Sequence, residues 1–228
     1  HYLNELKLQN IDTYLVSGIF RTNQIFFKSY GSFFKEMLTC FTHLFVQDDT
    51  SVKLLQNINI NKASQANDTR FDTVIQTKKN AKDFDKIEQF VSNKKCIVLG
   101  SSWVEDEKLF SEASFKKDYK YIIAPHNINE KRIAEVQKMF PESVLYSKLE
   151  ANHLEKTVLI IDNYGMLSSI YKYGQIAYIG GGFGVSIHNI LEAAVFNIPV
   201  IFGPAHTKMK EASDLIALKG AFEVHNLA

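Results

Sequence analysis

Five short runs of apolar residues, each followed by a stretch with helical spacing, constrain the fold of this chain more than any other feature. The runs are Cys96–Gly100, Tyr121–Ala124, Val158–Ile161, Ile176–Ile179 and Pro199–Phe202. Continuous apolar runs of this length are typical of strands that are buried on both faces, and helices supply the connections that parallel strands require. The pattern therefore predicts an α/β fold in which helices cover both faces of a parallel sheet.

The segments between these runs supply the covering elements. The predicted helices are Phe84–Val91, Glu105–Ala113, Glu130–Phe140, Met166–Tyr173, Ile187–Phe196 and Lys208–Leu218, with a further short strand at Val144–Tyr146. Upstream, we predict strands at Ile11–Ser17 and His43–Gln47, and helices at Ile25–Leu38 (one helix, or two around Gly31) and Ser51–Ile58. The polar stretch from residue 59 to residue 82 lacks a sustained period, so we predict two domains, 1–75 and 76–228.

The composition excludes several classes of protein. Of the 228 residues, 46% are hydrophobic and 22% are charged, which is ordinary for a globular chain and unlike a disordered or fibrous one. A formal net charge of +1 leaves no excess of cations to neutralise phosphates, so we predict no nucleic-acid partner. The two cysteines, Cys40 and Cys96, are too few for a disulfide framework and predict a reducing compartment. No apolar run approaches the ~20 residues of a membrane span.

The sharpest motif is a run of glycines between a strand and a predicted helix. The strand ends at Ile179, and Gly180–Gly182 follow it directly. Glycine lets the backbone approach a ligand closely, and the start of a helix presents N–H groups that suit a phosphate or a carboxylate. The spacing is not that of the dinucleotide-binding G-x-G-x-x-G motif. We therefore predict an anion site, the alternative being a glycine-rich turn without a ligand.

Two polar residues of the predicted helix Ile187–Phe196 extend this site. His188 and Glu192 are four residues apart and would share one face of that helix. In that geometry the imidazole can donate to a phosphate and the carboxylate can accept both hydroxyls of a ribose. The alternative is a solvated pair without a ligand.

Polar turns also follow other predicted strands. Ser101 and Ser102 can hold a phosphate or a carboxylate, or alternatively cap the next helix. Pro125 and His126 end the following strand. Because the carboxyl ends of parallel strands meet at one edge of a sheet, these turns together predict a nucleotide crevice.

One arginine lies between the predicted domains, in the segment Asn67–Asp72. Arg70 could neutralise a developing anion, or alternatively form a local salt bridge. The sequence contains no metal-ligand spacing, no G-x-S-x-G elbow and no P-loop, so we predict no metal site.

Together these residues resemble the 3-deoxy-D-manno-octulosonic acid (Kdo) transferases of Gram-negative bacteria, with the Bacteroidetes type the most similar. The matching stretches are Ser17–Arg21, Asn23–Phe27, Asp68–Asp72, Gly100–Trp103, Ala124–His126, Ile160–Asp162 and Tyr178–Pro204. Their order and spacing agree over nearly the whole chain, and the stretch from Ile179 to Pro204 is specific.

The resemblance implies a B-type glycosyltransferase (GT-B) fold, with a Rossmann-like parallel-sheet donor domain preceded by the C-terminal part of the acceptor domain. It implies transfer of Kdo from CMP-Kdo to a lipid A precursor in lipopolysaccharide biosynthesis, at the cytoplasmic face of the bacterial inner membrane, without metal or cofactor. The implied donor-binding residues are Ser101, Ser102, Pro125, His126, Gly180, Gly181, Gly182, Phe183, His188, Asn189 and Glu192, with Arg70 as an assisting residue. Among them, the glycines and His188 would hold the CMP phosphate, and Glu192 the ribose.

Members of the resembled family are longer than this chain, which begins at His1 rather than Met. The resemblance implies truncation at both ends, with the catalytic base and the membrane contact in the missing N-terminal region. We therefore expect donor binding with little or no turnover. Two alternatives stay open: a UDP-sugar transferase or epimerase of the same fold, and a non-catalytic nucleotide-binding or scaffold domain.

Overall fold

The structure, a computed structural model, describes residues 2–66, 68–112, 118–207 and 209–225. Three residues that bound predicted segments, Asn67, Ala113 and Lys208, lie outside these ranges. The chain divides into two compact units, His1–Asp72 and Thr73–Ala228. The division falls close to residue 75, where the sequence placed the boundary.

The first unit contains a three-stranded parallel sheet. Its elements are α1 (Tyr2–Leu8), β1 (Tyr14–Gly18), α2 (Ser32–Leu38), β2 (His43–Val46), α3 (Asp49–Asn57) and β3 (Ala63–Gln65), and α4 (Thr69–Lys79) begins in it and ends in the second unit. The strand order is β1-β2-β3. A 3₁₀ helix at Ile25–Phe27 and α2 lie on either side of Gly31, which confirms the two-helix alternative for that segment.

The second unit contains a seven-stranded sheet, all of whose described pairings are parallel. Its elements are α5 (Asp85–Val91), β4 (Lys95–Ser102), α6 (Val104–Glu112), β5 (Tyr119–Pro125), α7 (Glu130–Met139), β6 (Ser143–Leu145), β7 (Val158–Ile160), α8 (Leu167–Ile170), β8 (Ile176–Ile179), α9 (Leu191–Ala194), β9 (Val200–Phe202), α10 (Lys210–Ala217) and β10 (Ala221–Glu223). The strand order is β10-β9-β8-β4-β5-β7-β6. All five apolar runs form strands of this sheet, as predicted.

Alternate residues of the central strands contribute to two separate hydrophobic clusters. Val98 and Ile122 belong to one cluster, whereas Leu99 and Ile123, their neighbours in the chain, belong to the other. Successive side chains of a strand point to opposite faces, so both faces of the sheet are covered. The apolar runs are therefore continuous because both faces of these strands are buried, as the sequence predicted. Both cysteines, Cys40 and Cys96, are buried and free of disulfides.

Among the described α-helices and strands, four escaped the sequence prediction, namely α1, β3, α4 and β10. β3 and β10 have three residues each, too few to show a period. Along α4 only Val74 is buried, so that helix carries no apolar stripe for sequence periodicity to detect.

Candidate functional site

The strand order of the second sheet reverses between β4 and β8. The strands β5, β6 and β7, which follow β4 in the chain, lie on one side of β4 in the spatial order β5-β7-β6. The chain then returns and places β8, β9 and β10 on the other side of β4. Ligands of open parallel sheets bind at such a reversal, outside the carboxyl ends of the strands. The serines at the end of β4 and the glycines after β8 meet there, and the Gly180 N–H donates to the Gly100 carbonyl oxygen (2.9 Å).

Contacts between backbones explain two of the three glycines. A Cβ atom on Gly180 would fall on the Ser101 carbonyl group, and one on Gly182 would fall on the Gly203 amide. Gly181 is needed because its φ of +89° lies in a region that side chains rarely allow. At Gly180 and Gly182, the close approach that the sequence assigned to a ligand is thus made by neighbouring backbone.

Several amides of the glycine run are already engaged inside the protein. Besides the Gly180 bond, the Gly181 N–H donates to Asp106 Oδ2 (2.9 Å) and the Gly184 N–H donates to the Gly181 carbonyl oxygen (3.1 Å). An anion held at this turn therefore needs donors other than these three amides.

Asp106 connects the glycine turn to the start of α6. Its Oδ2 accepts hydrogen bonds from the Trp103 N–H (2.9 Å) and the Gly181 N–H, and its Oδ1 accepts one from the Tyr178 hydroxyl (2.7 Å). Asp106 is completely buried. Burial raises the pKa of the Tyr178 hydroxyl, and the adjacent Asp106 carboxylate raises it further. The phenol therefore remains a donor to Asp106 at any ordinary pH.

Three aromatic side chains from three segments form a partly exposed cluster. The Trp103 Nε1–H donates to His188 Nε2 (2.8 Å). The His126 ring stacks on both neighbours, with centroid distances of 4.6 Å to Trp103 and 4.5 Å to His188. Because the indole N–H is only a donor, His188 Nε2 must accept, and neutral His188 then carries its proton on Nδ1. The predicted site residues His126 and His188 are thus brought together.

The surroundings of His188 in this cluster favour its neutral form at pH 7. Burial lowers the His188 pKa and nearby His126 lowers it further, while the Asp106 carboxylate opposes them. The hydrogen bond from Trp103 needs this neutral form.

Acidification is therefore expected to quench the intrinsic fluorescence of the protein. Trp103 is the only tryptophan in the sequence, so emission excited selectively at the indole, beyond the absorption of the ten tyrosines, reports on this cluster. Protonated His188 cannot accept the indole hydrogen bond, and we expect a fluorescence transition with a midpoint below the ordinary histidine value of about 6.5. The titration is made on His126→Gln, so that only one histidine contacts the indole, and His188→Gln in that background should abolish the transition. A midpoint above about 7, or a transition that survives His188→Gln, would contradict the assignment.

A cavity of about 290 Å³ lies at this end of the sheet. One wall comes from the start of α6, with Trp103, Glu105 and Asp106. The other wall comes from the segment after β8 and consists of Gly181, Phe183, Gly184, Val185, Ser186 and His188. This volume is at the small end of the range for small-molecule sites. The predicted residue Phe183 is therefore part of the cavity.

The predicted helix Ile187–Phe196 is wrong, because α9 comprises only Leu191–Ala194. Before it, the Ile187 N–H donates to the Ala205 carbonyl oxygen and the His188 N–H donates to the Gly180 carbonyl oxygen (3.1 Å each). These tertiary bonds hold the segment in an irregular conformation. His188 and Glu192 therefore do not share a helix face, and the predicted helix start with free N–H groups at His188 does not exist.

The predicted ribose ligand, Glu192, has a local partner. Its Oε1 accepts a hydrogen bond from Asn189 Nδ2 (3.1 Å), and Asn189 Oδ1 accepts one from the Leu191 N–H (3.1 Å). Burial raises the pKa of Tyr171, and the charge of Glu192 adds to this rise. A Cβ on Gly100 would meet the Tyr171 hydroxyl, so Tyr171 packs against β4.

The two predicted serines differ in environment. The Ser102 side chain is buried and its hydroxyl donates to Glu107 Oε1 (2.8 Å). This bond argues against direct contact between the Ser102 hydroxyl and a donor, and it leaves Ser102 a structural role. Ser101 is the additional residue at a register shift between β4 and β5, with a φ of 50°, and is half-buried. Pro125 ends β5 as a buried residue.

Arg70 forms an ion pair within the first unit. Its Nη2 lies 2.6 Å from Asp68 Oδ2, and its Nε also donates to that carboxylate. Burial opposes ionisation of Asp68, but the hydrogen bonds from Arg70 outweigh it, and the Asp68 pKa is lowered. The structure thus shows the local salt bridge that was the alternative for this residue.

Sequence reasoning missed Asp106, Glu107 and Arg132. The acidic run at the start of α6 suits the helix dipole, so by itself it indicates an ordinary exposed first turn. In the structure Asp106 and Glu107 are completely buried, and Arg132 pairs with Glu107. The available signal was a dense acidic run directly after a strand-end turn, at a place where a crevice was already predicted.

The described ranges contain neither a membrane-spanning helix nor a cluster of potential metal ligands. Across residues 2–66, 68–112, 118–207 and 209–225, no helix has the length and apolar character needed to cross a bilayer. Over the same ranges, no cluster of three or more His, Cys, Asp or Glu residues is arranged to hold a metal ion.

Sequence comparisons with known proteins agree with one another. Residues 1–73 match the family model described as 3-deoxy-D-manno-octulosonic-acid transferase (kdotransferase). The 3-deoxy-D-manno-octulosonic acid transferase of Aquifex aeolicus is 34% identical over 57% of this chain and 38% of its own length. The enzyme of the same name from Rickettsia felis is 26% identical over 86% of this chain and 44% of its own. The chain thus spans less than half the length of these relatives.

Structural comparisons show the fold. The C-terminal CMP-Kdo binding domain of WaaA from Acinetobacter baumannii matches 68% of this chain and 83% of its own, with a TM-score of 0.54 and 20% identity. The UDP-GlcNAc 2-epimerase of Methanocaldococcus jannaschii matches 98% of this chain and 62% of its own, with a TM-score of 0.63 and 18% identity.

The parallel sheet, its reversal between β4 and β8 and these neighbours show a Rossmann-like α/β fold of the GT-B type. The predicted fold class is confirmed. The family model, the curated relatives and the structural match all show similarity of this chain to Kdo transferases.

Proposed function

We propose that this chain carries the donor-binding part of a Kdo transferase and that its second unit binds CMP-Kdo. The observation that carries the proposal is the cavity at the sheet reversal, which is lined by Trp103, His188 and the turn after Gly180. Curated relatives named as Kdo transferases and a CMP-Kdo binding domain of like fold support it.

In this proposal the residues have distinct tasks. The glycine turn shapes one wall, and His188 faces the phosphate of CMP with a protonated Nδ1. Phe183 and the His126 ring supply apolar and stacking surface, and Glu192 with Asn189 receives the ribose hydroxyls. Ser101 and Pro125 shape the end of the neighbouring strands.

The reaction that fits is a direct displacement. A hydroxyl oxygen of the acceptor bonds to the anomeric carbon of Kdo, the bond from that carbon to the phosphate oxygen breaks, and CMP leaves with the electron pair. A general base takes the hydroxyl proton. The task of this chain is to hold the leaving phosphate and lower its charge, which favours the transition state electrostatically. We assign no base to this chain and expect it to turn over little or no substrate.

Further features of the proposal follow from the family. The acceptor is a lipid A precursor, the product belongs to lipopolysaccharide biosynthesis, and the enzyme works at the cytoplasmic face of the bacterial inner membrane. The reaction uses neither a metal nor another cofactor. Arg70, which is paired with Asp68, is an assisting residue in this proposal. No nucleic acid is a partner. These points stay predictions.

The choice of nucleotide tests the proposal. Titration calorimetry of the 228-residue chain is expected to show binding of CMP, and at least tenfold weaker binding of UDP. His188→Ala should weaken CMP binding about ten- to a hundredfold, since one hydrogen bond to a charged group is worth roughly 1.5–3 kcal/mol. Lys53→Ala, at an exposed position of α3 in the first unit, is the matched control and should leave binding unchanged.

The outcomes separate the alternatives. Tighter binding of UDP than of CMP would favour a UDP-sugar enzyme and overturn the donor assignment. If no nucleotide raises the melting temperature at saturating concentration, the scaffold alternative is favoured, because any ligand of the native state must stabilise it.

A further inference from the structure

We infer that Asp106 is a positioning residue that fixes the two walls of the cavity relative to each other, and this inference rests on the proposed function. Asp106 belongs to the wall at the start of α6, and its Oδ2 accepts hydrogen bonds from the Trp103 N–H on that wall and from the Gly181 N–H on the other, at 2.9 Å each. A single carboxylate oxygen therefore bridges the two segments between which a ligand would lie.

The bond to Trp103 belongs to the geometry of the helix start. Asp106 is the third residue of α6, and a carboxylate at that position can accept from the N–H of the residue before the helix. This half of a capping box fixes the backbone of Trp103. It also places the indole, whose Nε1–H reaches His188 on the opposite wall.

The bond to Gly181 reaches across 75 residues of sequence. Gly181 has a positive φ, and a Cβ atom on it would lie 2.5 Å from the Ser186 carbonyl oxygen, so its turn is tightly confined. An acceptor at its N–H decides which way that peptide faces. Without Asp106, the N–H groups of Gly181 and Trp103 would have to find other acceptors, and the turn would shift.

The third bond anchors the carboxylate itself. Oδ1 accepts from the Tyr178 hydroxyl, and Tyr178 is buried on β8, two residues before the glycine run. The Phe110 ring packs edge-on against Tyr178, with a centroid distance of 4.9 Å. Asp106 is thus held by the sheet, while it holds the two turns.

Three substitutions at Asp106 separate geometry from charge. In Asp106→Asn the amide oxygen still accepts both N–H groups, and the Tyr178 hydroxyl can turn to accept from the amide NH₂. Asp106→Glu keeps the charge but adds a methylene, so one oxygen cannot stay 2.9 Å from both amides. Asp106→Ala removes every acceptor. We expect the Kd for CMP to rise about threefold in Asn, about tenfold in Glu and at least thirtyfold in Ala.

Two controls exclude a general loss of stability. Val136→Ala, in the buried face of α7, lowers the melting temperature without touching either wall and should leave the Kd for CMP unchanged. Tyr178→Phe removes only the anchor and should raise the Kd less than Asp106→Glu does. All Kd values are measured at least 15 °C below each melting temperature, and Asp106→Glu decides the matter if Asp106→Ala does not fold.

The results divide cleanly. A CMP affinity that is recovered by Asn and not by Glu supports the positioning role. A weaker affinity in Asn than in Glu would mean that charge rather than geometry matters, and it would overturn the inference, as would Kd changes that merely follow the melting temperature. Failure of the unaltered chain to bind CMP would overturn the proposed function and this inference together.

Discussion

Replacing Arg132 with methionine is expected to lower the free energy of unfolding by about 3–5 kcal/mol at pH 7. Arg132 pairs with Glu107, whose side chain is completely buried, while the Arg132 side chain is itself only 12% exposed. Removing the cation leaves a buried carboxylate with one hydrogen bond, from Ser102. Urea unfolding at fixed pH measures the loss.

The size of this loss should depend on pH. Burial raises the Glu107 pKa, and Ser102 and Arg132 oppose that rise, so the pKa climbs further when Arg132 is removed. A carboxyl whose pKa is higher in the folded state than in the unfolded chain binds its proton more tightly when folded. Stability then falls as the pH rises through the folded value. The deficit of Arg132→Met should therefore be largest at neutral pH and should shrink towards pH 5.

Two variants test the cause of the deficit. The double variant Glu107→Gln with Arg132→Met removes both charges of the buried pair, and it should regain most of the lost stability. Lys53→Met removes the cation of an exposed pair with Asp49, whose side chains are 70% and 63% exposed, and should cost no more than about 0.5 kcal/mol. A deficit that is independent of pH, or that the double variant does not relieve, contradicts a charge-based cause.

Gly180→Ala is expected to cost about 3 kcal/mol of stability and to abolish CMP binding. The added methyl group would fall on the Ser101 carbonyl, 2.7 Å from Ser102 Cα, so β4 and β8 would have to move apart at the sheet reversal. Neither contact is the flexible end of a side chain that could move aside. Thermal unfolding and calorimetry measure the two effects.

Gly184→Ala is the matched control for this prediction. It lies in the same turn, but the nearest atom to its added Cβ would be the Gly181 carbonyl oxygen at 3.6 Å, an ordinary contact. Its stability should be unchanged or up to about 1 kcal/mol higher, because alanine restricts the unfolded chain. Equal losses in the two variants would show that the packing argument at Gly180 is wrong.

The predicted elements that depended on continuous apolar runs were confirmed, whereas the helix Ile187–Phe196 was wrong. A buried parallel strand has a local signature, a continuous apolar run, because both of its faces are packed against apolar side chains. The segment around His188 has helical spacing too, but hydrogen bonds to Gly180 and Ala205 compete with the helix there. Acceptors that come from distant parts of the chain have no local sequence signature.

The candidate site divides in the same way. The glycine turn, His126 and His188 could be proposed from the segments that follow the strands, because the carboxyl ends of parallel strands meet at one edge. Phe183 was implied only by the family resemblance. The burial of Asp106, its bridge between two walls, and the pairing of Glu107 with Arg132 could not. An acidic residue in the first turn of a helix is normally exposed, and only packing shows that this one is not.

By itself, the sequence determined that the second unit is a parallel α/β sheet with polar and glycine-rich turns at its strand ends, since apolar periodicity and turn residues act locally. Only the tertiary structure decided which strands are neighbours at the reversal, which glycines serve packing rather than a ligand, and which carboxylates are buried. The physical reason is that a hydrogen bond or a close contact between segments 75 residues apart depends on the order of strands in the sheet, which no short stretch of sequence encodes.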